Sequence, residues 1–169
     1  IIAMLASCKA KAELVLQERG RKSSQKSRIM VSHQQVLRVD NESADEISLD
    51  DEIIARLEGI LKRYDIVLLS DYGKGVLTNK LTNACIKTSK ALNKAVLVDP
   101  KGTDYSKYKG ATLLTPNRKE ASGALGYTLA HEVDISYGVR ELNECFELDF
   151  VLVTLREQGI ALWIPLILL

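Results

Sequence analysis

Four short runs, IVLLS (66–70), AVLVD (95–99), ATLLT (111–115) and FVLVT (150–154), are nearly continuous in branched apolar residues and then stop in polar or glycine-rich sequence. A strand wetted on one face alternates apolar with polar; a strand covered on both faces does not. The intervals between these runs carry helical spacing. Leu81, Ala84, Cys85, Ala91 and Leu92 mark one apolar face, RKEASGAL opens a second helix that Gly126 ends, and residues 131–146 make a third. Strand and helix in alternation predict an α/β fold with a mainly parallel sheet and helices on both faces. A fifth strand, IALW, follows Gly159 through a tight turn.

Upstream the pattern changes. Ile1, Met4, Leu5, Cys8, Ala12, Val15 and Leu16 recur at helical spacing and predict a helix over 1–18, with Gly20 as its stop. RGRKSSQKSR is a basic, solvated connector, and residues 28–40 read as a strand or a pair of strands. Ser48, with Asp51 three residues on, predicts a helix start, and Ile53, Ile54, Leu57, Ile60 and Leu61 then share one face. The chain begins with Ile1, as a piece of a longer protein would. IIAMLASC lacks the basic leader of a lipoprotein signal, and IALWIPLILL is too short to span a bilayer.

Composition narrows the function classes. A formal net charge of +1 over 169 residues gives no reason to invoke nucleic acid or an anionic membrane. Cys8, Cys85 and Cys145 are odd in number and widely spaced, which fits a reducing compartment and small buried thiols rather than a disulfide framework or a zinc site. His33 and His131 lack ligand spacing.

The polar exits of the strands carry the chemistry. In open parallel sheets ligands bind beyond the carboxyl ends of the strands. The four exits, Asp71–Tyr72–Gly73–Lys74–Gly75, Asp99–Pro100–Lys101–Gly102, Pro116–Asn117–Arg118–Lys119–Glu120 and Thr154 to Gly159, should therefore share one edge. DYGKG offers a cation and approachable amides, or is an ordinary strand-to-helix turn; it has neither the Walker nor the dinucleotide spacing. DPKG sets an acid and a lysine either side of a rigid proline, or is a surface turn. Asn117 and Glu120 suit Mg²⁺, which prefers oxygen ligands, and equally suit a capping box. TLREQG places the Thr154 hydroxyl and exposed backbone near a ligand, or is a hairpin turn. Tyr105 and Tyr108 in DYSKYKG read as a surface loop.

Together, LLSDYGKGVLT, VLVDPKGTDYSKYKGATLLTPNRKE and LVTLREQGIAL resemble the ribokinase-like (PfkB) carbohydrate kinases, and more narrowly the heptose-7-phosphate kinases of ADP-heptose biosynthesis. KSRIMVSHQQVLRVDNE resembles that family's lid and sugar-side strands. The resemblance implies a ribokinase-like domain with lid strands near 26–40 and a nucleotide-side core over 64–163. It implies transfer of the ATP γ-phosphoryl group to the anomeric hydroxyl of D-glycero-D-manno-heptose 7-phosphate, with Mg²⁺ as cofactor. It further implies a cytoplasmic protein that is a homodimer when intact. By the same resemblance Asn117 and Glu120 organise Mg²⁺, and Lys101 and Asp99 stand near the phosphates. Thr154 and Gly159 flank the nucleotide, and Arg38, Asp40, Asp71 and Lys74 fall on the sugar side.

Two departures qualify this. The family's glycine-rich amino-terminal sugar-binding strands and its GAGD motif, which supplies the catalytic base and an anion hole, do not occur in these 169 residues. After Trp163 the sequence IPLILL no longer resembles the family. Without base and anion hole the chain alone is expected not to turn over. The other reading is a non-catalytic remnant or interaction module that keeps weak nucleotide binding.

Overall fold

The computed structural model describes residues 2–9, 11 and 15–165, and the chain divides into two compact units, residues 1–43 and 44–169. In the first unit, helix α1 (Ile2–Ser7) precedes an antiparallel hairpin of β1 (Gln25–Val31) and β2 (Gln34–Asn41). A bulge at Ile29/Met30 interrupts the register. Every residue of the hairpin is exposed, including Ile29, Leu37 and Val39. Among the described residues, the helix expected over 1–18 covers Ile2–Ser7, and residues 15–18 are not helical. The reason is physical: α1 buries no residue, and a short helix without a packed face has little to sustain it. Ile1 and Ala12 of that pattern, and the tail 166–169, lie outside the described residues.

The second unit runs α2 (Asp50–Leu61), β3 (Ile66–Ser70), α3 (Asn79–Ala91), β4 (Ala95–Asp99), β5 (Leu113–Leu114), α4 (Arg118–Leu125), α5 (Glu132–Phe146), β6 (Phe150–Thr154) and β7 (Ile160–Trp163). The sheet order is β3-β4-β5-β6-β7. The first four strands are parallel, and β7 returns antiparallel to β6. Parallel crossovers are right-handed, so an order that advances in one direction sends every connecting helix to the same face. Burial follows: Val96, Val98, Leu114, Val151 and Val153 are sealed on the helical side. On the other side Ile66 is 59% and Leu68 67% exposed. The second helical layer expected from the sequence is not among the described residues.

Caps explain several boundaries. Thr78 accepts from the Leu81 amide at 3.1 Å to start α3, and its hydroxyl donates to Asp50 Oδ2 at 2.7 Å, tying the starts of α2 and α3 together. The start expected at Ser48 falls instead at Asp50; Leu49 makes no capping bond, and Asp50, Asp51 and Glu52 complement the helix dipole. Gly126 ends α4 in the left-handed conformation that glycine adopts freely.

Three expectations about burial are corrected. Tyr105 and Tyr108 are fully buried core residues, not surface ones. A 3-10 turn at Ser106–Tyr108 folds this loop inward, with Tyr105 tilted against Tyr108 and Phe146 at ring separations of 5.8 and 5.7 Å. Of the cysteines only Cys85 is buried; Cys8 follows a helix that buries no residue and is exposed, and Cys145 is exposed on α5. Ala91 is exposed at the end of α3, where Ile86 takes the inward place.

Candidate phosphate-binding rim

Because β3 to β6 are parallel, their carboxyl ends meet along one edge, and specific contacts join the exits. The Asp71 amide donates to the Asp99 carbonyl at 2.9 Å, continuing the β3–β4 ladder by one residue. Gly73 approaches Lys101 so closely that a Cβ added there would lie 3.3 Å from Lys101 Cγ. Lys101 Nζ pairs with Glu120 Oε1 at 3.0 Å. Asn117 and Glu120 close a reciprocal capping box on α4: Asn117 Oδ1 accepts from the Glu120 amide at 3.0 Å, and Glu120 Oε2 from the Asn117 amide at 3.1 Å. Asn117 also bridges to Thr154, whose amide donates to the Pro116 carbonyl at 3.0 Å. A continuous path thus runs from Gly73 through Lys101, Glu120 and Asn117 to Thr154.

At the Thr154 end the rim opens into a cavity of about 590 Å³. Asn117, Arg118, Lys119, Thr154, Arg156 and Gln158 contribute to its lining. Three cations against the single carboxylate of Glu157 give its lining a net positive charge, which attracts anions. Arg118 donates to Gln158 Oε1 at 2.5 Å while its Nε is buried without a partner. A buried donor left unpaired costs free energy that a ligand acceptor would recover. Arg156 sits at φ 56°, and Gly159 turns the chain into β7 with its carbonyl accepting from Leu155 at 2.8 Å.

Electrostatics distinguish the two ends of the path. The Glu120 carboxylate, through its hydrogen bond and charge, raises the Lys101 ammonium above its ordinary range, and Asp99 adds to this. Asp71 is different, with a side chain only 3% exposed. Its carboxylate accepts from Lys107 Nζ and Tyr108 Oη, both at 2.6 Å, and from the Gly73 amide at 2.7 Å. Burial pushes its carboxyl up, but the bonds from Lys107, Tyr108 and Gly73 together prevail and hold it below its ordinary 3.8. A carboxyl lowered by folding stabilises the fold above the unfolded value and loses that contribution as pH falls through the folded one. Acid titration followed by circular dichroism should therefore show stability declining below about pH 4, and Asp71→Asn should flatten that decline; an equally steep profile in the variant would contradict it.

Asp71, Lys74, Asp99, Lys101, Asn117, Glu120, Thr154 and Gly159 all lie on strand exits of this one edge. Arg38 and Asp40 belong to the first unit, where Arg38 Nε and Nη2 grip the two Asp40 oxygens at 2.7 and 2.6 Å. Sequence reasoning passed over Lys107, Tyr108, Arg118 and Arg156. The first two lie in an irregular loop with no periodicity. The cationic character of the last two was visible, but not their convergence across residues 118 and 156.

Comparison with known proteins bears on the fold. No family model matches the chain. The chain is 58% identical over 162 residues to the bifunctional protein HldE of Campylobacter fetus, covering 96% of this chain and 35% of that protein. It therefore spans about a third of the length of the curated relatives it matches. Among solved structures, the tetrameric inhibited form of Escherichia coli phosphofructokinase-2 superposes with a TM-score of 0.73 at 22% identity, covering 98% of this chain and 55% of that one. Arabidopsis thaliana ribokinase, complexed with ribose and ATP, gives a TM-score of 0.58 at 23% identity, covering 76% and 41%. The fold is ribokinase-like, and in sequence the chain is similar to about a third of the length of the HldE proteins.

Proposed function

We propose that this chain forms the nucleotide side of an ATP-dependent sugar-phosphate kinase, acting on D-glycero-D-manno-heptose 7-phosphate at its anomeric hydroxyl. The observation that carries the reading is the unbroken rim from Lys101 to Thr154, beside a cationic cavity of about 590 Å³ with an unpaired buried donor. Phosphoryl transfer asks a protein chiefly for positioning and charge neutralisation. Arg118 and Arg156 meet the polyphosphate, the Thr154 hydroxyl and the backbone to Gly159 orient the nucleotide, and Lys101, supported by Asp99, neutralises charge on the phosphate being transferred.

The donor set fits Mg²⁺: Glu120 and Asn117 present carboxylate and amide oxygens in the first turn of α4 and would hold the ion through its waters. When bound, Mg²⁺ supplies charge neutralisation between the phosphates. Lys74, in the exit of β3, is assigned to the sugar phosphate. The GAGD base motif does not occur in these residues, so the chain alone binds nucleotide weakly and does not turn over.

Isothermal titration of the chain with ATP and Mg²⁺ should show weak, saturable binding that Glu120→Gln makes less dependent on Mg²⁺. No binding at all would reject the nucleotide-side assignment, and turnover of heptose 7-phosphate by the chain alone would reject the assigned need for a further base.

A further inference from the structure

We infer that Asp71, Lys107 and Tyr108 are positioning residues that fix the backbone at Lys101 and thereby hold its ammonium against Glu120. Asp71, with a side chain only 3% exposed and bonded to Lys107, Tyr108 and Gly73, acts through Lys101 rather than on the sugar phosphate that the family resemblance assigns to it. The inference rests on the reading of the rim as the nucleotide side of a kinase.

The connections are directional. The Tyr108 hydroxyl donates to Asp71 Oδ2 at 2.6 Å and accepts from the Lys101 amide at 3.3 Å. The other Asp71 oxygen, Oδ1, accepts from the Gly73 amide at 2.7 Å, and it is Gly73 that packs on the Lys101 stem. Lys107 Nζ bonds Asp71 Oδ2 at 2.6 Å and the Leu77 carbonyl at 3.1 Å, binding the loop after β3 to the loop after β4. One buried carboxylate is therefore the junction of both loops, and two of its three bonds lead to residues in contact with Lys101 or its backbone. A buried ion pair is a poor device for stability alone, since apolar residues of similar volume often serve as well. Its worth here is geometric, because charge-assisted bonds fix direction as well as distance.

The test uses this chain, labelled for NMR, with Tyr108→Phe and, as a second variant, Lys107→Gln. In Tyr108→Phe the Lys101 amide should exchange with solvent roughly tenfold faster, while the Val98 and Val153 amides keep their protection. Affinity for Mg²⁺ and ATP should fall roughly fivefold, and this loss should vanish in a Lys101→Ala background, as expected of residues acting through one another. Lys107→Gln should lower the affinity likewise, again with no loss in the Lys101→Ala background. Unchanged exchange at Lys101, or an affinity loss of equal size in the Lys101→Ala background, would overturn the inference. If the unsubstituted chain binds no nucleotide, the proposed function fails, and exchange at Lys101 alone decides whether the three residues position it.

Discussion

Replacing Lys107 with methionine should destabilise the second unit by about 3 kcal/mol, lowering its melting temperature by roughly 10 °C. The side chains are close in length, so packing changes little. What changes is that the Asp71 carboxylate, 3% exposed, loses its cation and keeps only the Tyr108 hydroxyl and the Gly73 amide. Removing one partner of a buried pair leaves a charge that water cannot reach. The Leu77 carbonyl also loses its donor. The loss should shrink in acid, because protonating Asp71 removes the charge that Lys107 neutralises. Thermal melts of the variant at neutral and acid pH check both statements. A melting temperature within a degree or two of the parent would show that the pair is solvated.

Gly75→Ala should cost about as much, near 3 kcal/mol, for a steric reason. Gly75 sits at φ 73°, where a side chain is disfavoured by itself. A Cβ there would lie 1.9 Å from the Asp45 carbonyl oxygen and 2.4 Å from its carbon. Backbone atoms cannot swing away as a side-chain tip does, so the strand exit and the segment around Asp45 must separate. That separation breaks the hydrogen bond from the Ile47 amide to the Gly75 carbonyl, 2.9 Å in the parent. Denaturant titration measures the energy, and amide exchange at Ile47 locates it. A variant as stable as the parent, with Ile47 still protected, would refute the close approach.

The two glycines and the acid of DYGKG thus have separate tasks that the string itself only partly disclosed. The strands were legible because both of their faces are apolar, which leaves a continuous signature, and β3, β4 and β6 fall where that signature predicts. The gathering of strand exits at one edge was legible for the same reason, since parallel strands can end nowhere else. ATLLT yielded only Leu113–Leu114 as strand, pairing being taken up beyond it by the Asn117–Thr154 bridge. The capping box was readable from Asn117 and Glu120, three residues apart.

Long-range chemistry was not readable. Asp71 finds Lys107 at a separation of 36 residues, and no local period signals that an acid at a strand end will turn inward. Tyr105 and Tyr108 stand among serines, lysines and glycine, a composition that reads as surface until the 3-10 turn places both rings in the core. The opposite error occurred at residues 1–18, where an amphipathic period was present but α1 buries no residue.

The sheet's spatial order is also its order of synthesis. A ribosome releases β3, β4, β5, β6 and β7 in the sequence in which they stand side by side. Each new strand meets an edge already laid down, and none has to be threaded between two others. The nascent polypeptide can therefore assemble like a row of planks set from one end, with neighbours close in the chain and each loop closure short. The antiparallel return of β7 is the fifth plank, delivered by a hairpin of only five intervening residues, Leu155 to Gly159.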